Sequence, residues 1–298
     1  MSEADEPTYP VRAVVRLTGL TPDLLRAWER RYRVVEPLRS EGGTRRYRAS
    51  DLERLRLLKA AVDAGHRISE LAGLDPGELA RRATAPVRPP GPPVAAVLRA
   101  LERLDGGEAE QILAGQLATL GPTRFAREFA LPLLEEIGEA WESERLCVAS
   151  EHLGSALLRS LLGSSLRPTH AHRTAPLVVF ATPAGERHEI GLLIAALTAL
   201  GAGVNPLYLG VDLPTSELLR AVDTAGAAAL ALSVVALAKD DAEAALRALR
   251  GGLPPNVELW LGGAGARALA LPEGVRRIDS LESLEHRAEL LRLRAGVR

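Results

Sequence analysis

The 298-residue chain reads as a multidomain α and α/β protein: an N-terminal winged helix-turn-helix, a four-helix bundle and a C-terminal Rossmann-like, doubly wound parallel sheet. Three observations predict this. The chain opens on a short helical pattern, a glycine turn and an Arg-studded second helix. Five prolines in nine residues (85–93) then separate that block from a wholly helical stretch, an extended tether of about 3.1 Å per residue where it is polyproline-like. Beyond residue 170, short apolar runs alternate with helical patterns, which builds a parallel sheet with its ligand site at the carboxyl ends of the strands. The expected organisation is therefore 1–84 for the winged helix, 85–93 for the linker, 94–170 for the bundle and 171–298 for the sheet domain.

Composition narrows the function classes. Hydrophobic residues make up 47% of the chain and aromatics only 3%, so the cores are built from Leu, Val and Ala. The lone cysteine, Cys147, rules out an internal disulfide and fits a reducing compartment. The opening residues Met1-Ser2-Glu3-Ala4-Asp5-Glu6 are acidic, unlike a signal or transit peptide, and no apolar stretch approaches the roughly 20 residues of a membrane span. A cytoplasmic protein with no membrane partner is expected. From Pro10 to Lys59 there are thirteen Lys/Arg against six Asp/Glu, a local +7 within a chain of net charge -1. That imbalance points to an anionic partner for the first domain alone.

Taken in order, Val11 to Leu17 gives a short helix with Val11, Val14, Val15 and Leu17 inward, and Gly19 supplies the turn. Thr21 is a good N-cap and Pro22 a good first helical residue. The second helix runs to about Tyr32, burying Leu25 and Trp28 and exposing Arg26, Glu29, Arg30 and Arg31, as a helix destined for the major groove should. Leu38 to Arg48 reads as a two-stranded wing turning at Gly42-Gly43, with Arg48 and Arg54 as surface charges. Ser50-x-x-Glu53 is a capping box opening a third helix, Asp51 to Ala64. The bundle comprises Val94 to Leu104, Glu108 to Leu120, Pro122 to Glu142 and Cys147 to Leu166. Strands are expected at 177–182, 204–209, 228–233, 257–261 and 275–278, with helices at Glu189 to Leu200, Thr215 to Thr224, Asp240 to Leu249, Ala264 to Ala270 and Ser280 to Leu291.

The segment Leu25-Arg26-Ala27-Trp28-Glu29-Arg30-Arg31-Tyr32, followed by Arg45-Arg46-Tyr47-Arg48-Ala49-Ser50-Asp51-Leu52, resembles a MerR-type winged helix over about residues 8 to 84. The resemblance implies that Arg26, Arg30 and Arg31 touch bases or phosphates of operator DNA, and that Tyr32, Arg45, Arg46 and Tyr47 touch its backbone. Trp28 is read as core. The long dimer helix of metal-sensing relatives is broken here at Gly65, so oligomerisation must come from elsewhere in the chain.

In the C-terminal half, Glu186-x-His188-x-x-Gly191 follows the first apolar run, Ser233-x-Val235 ends the third and Gly262-Gly263 ends the fourth. An imidazole can ligate a transition metal, and a nearby carboxylate can take its other ring proton. The three segments together resemble the cobalamin-binding domain of methionine synthases, corrinoid carriers and isomerases, which implies that His188 coordinates cobalt from below while the serine and glycine segments line the slot for the nucleotide tail. Trp141, with Glu151-His152 nine residues on, matches the bundle of CarH-type photoreceptors, whose domain order this chain shares. The resemblance implies adenosylcobalamin as cofactor, with Trp141, Val148, Glu151 and His152 around its upper face. It further implies a homo-oligomer, dimer to tetramer, that represses carotenoid genes in the dark and is released by light. In that family a cobalt-capturing histidine follows the tryptophan; here Glu142 does, and a carboxylate is a harder, weaker partner for this cobalt. Cys147 reads as a buried, inert residue, and His66, His170, His172 and His286 are assigned no role. No Ser/His/Asp set, phosphate loop or hydrolase motif is present, so no catalytic residue is assigned and no enzyme is expected. A light-independent cobalamin regulator and a corrinoid methyl carrier are the alternatives; the carrier has no use for the Arg-rich winged helix.

Overall fold

The computed structural model describes residues 7–40, 43–63, 66, 68–82, 91–166 and 175–295. The chain forms two compact units, Met1–Gly91 with Gly138–Arg145, and Pro92–Ile137 with Leu146–Arg298. Gly42, Gly65, His170, His172 and most of the Pro-rich linker lie outside the described residues.

In the first unit, strand β1 (Thr8–Pro10) leads into helices α1 (Val11–Thr18) and α2 (Pro22–Tyr32). Gly19 closes α1 at φ 75, its N–H donating to the Val15 carbonyl, a left-handed turn that suits glycine. Thr21 caps α2 by accepting from the Leu24 amide at 3.2 Å, and Pro22 follows as the first helical residue. Strands β2 (Leu38–Arg39) and β3 (Arg45–Arg48) form the wing, and β1 joins β3 on its other edge, giving the order β1-β3-β2. Helix α3 (Ala49–Asp63) begins two residues before the expected Asp51, because the Asp51 carboxylate accepts the Arg48 amide at 2.8 Å. Two short helices, α4 (Ile68–Leu71) and α5 (Pro76–Arg82), complete the unit. Its core is Val14, Leu24, Leu25, Trp28, Tyr47, Leu55 and Leu58, so Trp28 is core as read. Two expectations are corrected. Leu17 faces solvent, and the buried Thr18 takes its inward place by bonding back to the Val14 carbonyl. Arg54 is no plain surface charge: its guanidinium donates to the carbonyls of Val34 and Leu74 at 2.8 Å each, and to that of Ala72.

In the second unit, helices α6 (Pro92–Glu102), α7 (Gly106–Leu120), α8 (Pro122–Arg124), α9 (Leu131–Glu142, whose last turn falls in the first unit) and α10 (Val148–Ser165) form the bundle region. The expected single helix from Pro122 to Glu142 is interrupted by a π-helical segment, Phe125–Ala130, where the rings of Phe125 and Phe129 stack at 5.6 Å. The sheet domain runs β4 (Leu177–Pro183), α11 (Ile190–Gly201), β5 (Asn205–Leu213), α12 (Thr215–Ala225), β6 (Ala229–Ser233), α13 (Lys239–Gly252), β7 (Glu258–Gly262), a 3-10 turn (Ala264–Ala268) in place of the expected helix, β8 (Val275–Arg277) and α14 (Leu281–Ala295). All pairings are parallel, in the order β5-β4-β6-β7-β8. Alternate residues of β4 serve opposite faces: Val179 and Ala181 pack with Leu218 and Leu246 of α12 and α13, while Val178 and Phe180 pack with Leu192 of α11 and Leu284 of α14. A central strand buried on both faces needs a continuous apolar run, which is why Leu177-Val178-Val179-Phe180-Ala181 shows no alternation. The strand order reverses between β4 and β6, the point at which open parallel sheets form a crevice at the carboxyl ends of their strands.

Candidate functional site

The loop after β4 enters that crevice carrying Glu186 and His188. The loop is held from three sides. The buried Thr182 hydroxyl donates to the Glu186 carbonyl at 2.6 Å, the Gly185 amide donates to Asp212 Oδ1 at 2.7 Å, and the Asp212 amide donates to Thr182 Oγ1 at 2.9 Å. Glu186 is almost wholly buried, and each carboxylate oxygen has its own task. Oε1 faces His188, 2.5 Å from Nδ1 and 3.0 Å from the backbone amide. Oε2 accepts three successive amides after β6, those of Val235 and Ala236 at 2.7 Å and Leu237 at 3.0 Å. Burial pushes the carboxyl up, but the bonds from His188, Val235 and Ala236 outweigh it and leave it at about 2. An ionised Glu186 keeps the proton on Nδ1 and leaves the Nε2 lone pair of the half-exposed His188 ring available to a metal. A single imidazole suits a metal that arrives with its equatorial ligands in a macrocycle. Gly191, in the first turn of α11, has open space where a side chain would stand. These residues would suit a corrinoid, with the His188 imidazole available to hold its cobalt.

Ser233 and Gly262 are paired across β6 and β7, so the second and third segments stand side by side at the same sheet edge. Gly263 is explained by packing: at φ 94, a Cβ there would lie 2.3 Å from the Val234 carbonyl oxygen. The Val235 amide is engaged by Glu186, which gives that residue a role in orienting His188. Asp212 and Thr182 were missed in the sequence, since neither belongs to the Glu-x-His-x-x-Gly spacing and both act through bonds to backbone.

On the bundle, Val148 and His152 are exposed on α10 and Glu151 is half-buried, its Oε1 accepting from Ser155 Oγ at 2.6 Å. Cys147, expected to be buried, is exposed at the start of α10, and the Ser150 hydroxyl 3.3 Å away lowers its thiol from the ordinary value. Trp141 and Glu142 end α9 and belong to the first unit. Glu142 is buried beside Tyr32, whose hydroxyl donates to it. Burial raises the Glu142 carboxyl to about 7, against the opposing pull of Arg31 and Tyr32.

Arg26, Arg30 and Arg31 lie exposed on α2, Arg26 paired with Asp23 at 2.8 Å and Arg31 stacked 5.3 Å from the Tyr32 ring centre. Among the wing residues, Tyr47 departs from expectation. Tyr47 is fully buried, its hydroxyl donating to Glu29, which also receives Arg45. Arg46 donates to the Thr8 hydroxyl and carbonyl at 2.9 Å each. In this arrangement Tyr47 is a core residue rather than a contact to DNA backbone, and Arg45 and Arg46 fasten β3 to α2 and β1.

Residues 9–78 match the family described as MerR HTH family regulatory protein, and residues 94–164 match that described as B12 binding domain. The chain is 38% identical over 275 residues to the HTH-type transcriptional repressor CarH of Myxococcus xanthus, covering 88% of this chain and 91% of that protein. It is 34% identical over 269 residues to the HTH-type transcriptional repressor CarA of the same organism, covering 87% and 88%. Over 65% of the chain its fold is similar to that of the monomethylamine corrinoid protein of Methanosarcina barkeri, 96% of which is covered, with TM-score 0.50 and 14% identity.

Proposed function

The chain belongs to the CarH family of MerR-type transcriptional repressors with a B12-binding domain, and from that premise we propose that it represses transcription as an adenosylcobalamin-loaded oligomer released from operator DNA by light. The bound cofactor supplies a cobalt–carbon bond that light can break. The protein's own residues do the rest. Glu186 fixes the tautomer and direction of His188, which would hold the cofactor's cobalt. Gly191, Ser233 and Gly262 accommodate its tail. Trp141, Val148, Glu151 and His152 form the surroundings of the adenosyl group. Arg26, Arg30 and Arg31 on α2 grip operator bases and phosphates, with Tyr32 at the end of the same helix. Carotenoid genes are the proposed targets.

The observation that carries this reading is the His188 imidazole, aimed by a buried carboxylate held by three amides, in the same chain as an Arg-bearing winged helix. Replacing His188 with Ala should abolish the histidine-ligated absorption spectrum of the loaded protein and weaken cobalamin binding at least about tenfold, a loss of some 1.4 kcal/mol. Unchanged spectrum and affinity would remove His188 from the site. Glu142 beside Tyr32, where the family resemblance implies a cobalt-capturing histidine, favours one second reading, a regulator that senses cobalamin without light; an operator affinity that is the same before and after illumination would select it.

A further inference from the structure

Helix α10 presents Glu151, Ser155 and Arg159 at spacings of four, hence on one face over two turns, about 12 Å. At one end of the stripe Ser155 holds Glu151. At the other, Arg159 Nε lies 2.6 Å from Glu189 Oε2. Glu189 directly follows His188, and its carbonyl accepts the Leu193 amide that opens α11. Its second oxygen, Oε1, accepts the Tyr208 hydroxyl of β5 at 2.7 Å. One carboxylate thus joins the bundle helix, the sheet and the loop bearing the His188 imidazole. The Tyr208 hydroxyl is raised well above its ordinary value, by burial first and then by Glu189, which keeps it a donor throughout the physiological range. An ion pair with a half-exposed arginine contributes little to overall stability. Its consequence is geometric.

We propose that Arg159 is a positioning residue for the upper face of the cofactor: by gripping Glu189 it fixes the height of α10, and so of Glu151, above His188. This rests on the reading that His188 ligates cobalt and Glu151 faces the upper group. A cofactor with a bulky upper group should feel that height; one with a small upper group should not. Loosening the grip should therefore change selectivity between cobalamins while leaving the lower ligand in place.

The experiment titrates the full chain in the dark with adenosylcobalamin and with methylcobalamin, following the histidine-ligated spectrum. Arg159→Met is expected to weaken adenosylcobalamin binding about tenfold, the scale of one charge-assisted hydrogen bond, with methylcobalamin affinity within about twofold of the parent. Arg159→Lys, which keeps the charge but loses the planar fork, should recover part of the loss. Tyr208→Phe, made from the sheet side, should shift selectivity in the same direction. In cofactor-free Arg159→Met, amide exchange at Leu193 should accelerate. An unchanged ratio of the two affinities, or an equal loss for both cobalamins, overturns the proposal. Loss of the histidine-ligated spectrum in Arg159→Met would overturn it too, by showing that the loop itself had collapsed. Failure of the underlying reading is separate: it appears as an unaltered spectrum in His188→Ala.

Discussion

At Glu186 the two carboxylate oxygens face different partners, Oε1 the His188 ring and Oε2 the amides of Val235, Ala236 and Leu237. Its carboxyl sits at about 2 in the folded protein against an ordinary 4.5. The stability this brings is fully present above pH 4.5 and is lost as the pH falls through 2. Glu186→Gln should therefore destabilise the sheet domain by about 3 kcal/mol at pH 7, and by progressively less below pH 4.5, in denaturant titrations at several pH values. A penalty that did not shrink on acidification would contradict this. Glu142 has the opposite sign. Its carboxyl is raised to about 7, so the folded form binds a proton more tightly, and stability declines as the pH rises from 4.5 to 7. Glu142→Gln should stabilise the protein at pH 8 by at most about 3 kcal/mol and have little effect at pH 4.5; carbon-detected titration of the native carboxyl should show a midpoint near 7. The Glu-x-His spacing made Glu186 legible in the sequence. Its three amide partners were not, because backbone donors are supplied by loop conformation and carry no side-chain signature.

On the scale of elements, the cations of α2 and the wing fall into two groups, those exposed on α2 and those bonded within the fold. Arg30 and Arg31 stand exposed on α2, whereas Arg45 and Tyr47 converge on Glu29, sixteen and eighteen residues away in sequence. Alanine at Arg30 or Arg31 should weaken operator binding and flatten the dependence of log K on log salt by about 0.9 per lost phosphate contact. Tyr47→Phe should leave that slope unchanged and lower thermal stability, since it removes a hydroxyl bonded to a carboxylate, an interaction of about 1.5–3 kcal/mol. A reduced slope in Tyr47→Phe would return Tyr47 to the DNA interface. Helices with strong caps were readable: Thr21-Pro22 starts α2 where expected. The π-helical segment Phe125–Ala130 and strand β1 were not, since the first keeps the apolar spacing of an α-helix and the second is three residues that form a strand only by pairing with β3.

Across the whole molecule, the order of winged helix, bundle and doubly wound sheet followed from punctuation and period: the Pro-rich stretch, the helical pattern and the βα alternation. The crevice between β4 and β6 was foreseeable from that alternation, but the tie from Arg159 to Glu189 depends on how two helices pack and leaves no spacing to read. We propose that one chain couples a cobalamin site at His188 to an operator-binding surface on α2. A ligand moves such an equilibrium only by binding one state better than the other. The most direct test measures operator affinity of the full-length, adenosylcobalamin-loaded protein in the dark and after green light, with oligomer size recorded on the same samples. A larger species is expected in the dark, with an affinity at least about tenfold tighter than after illumination; equal affinity and equal size in both conditions would rule out the coupling.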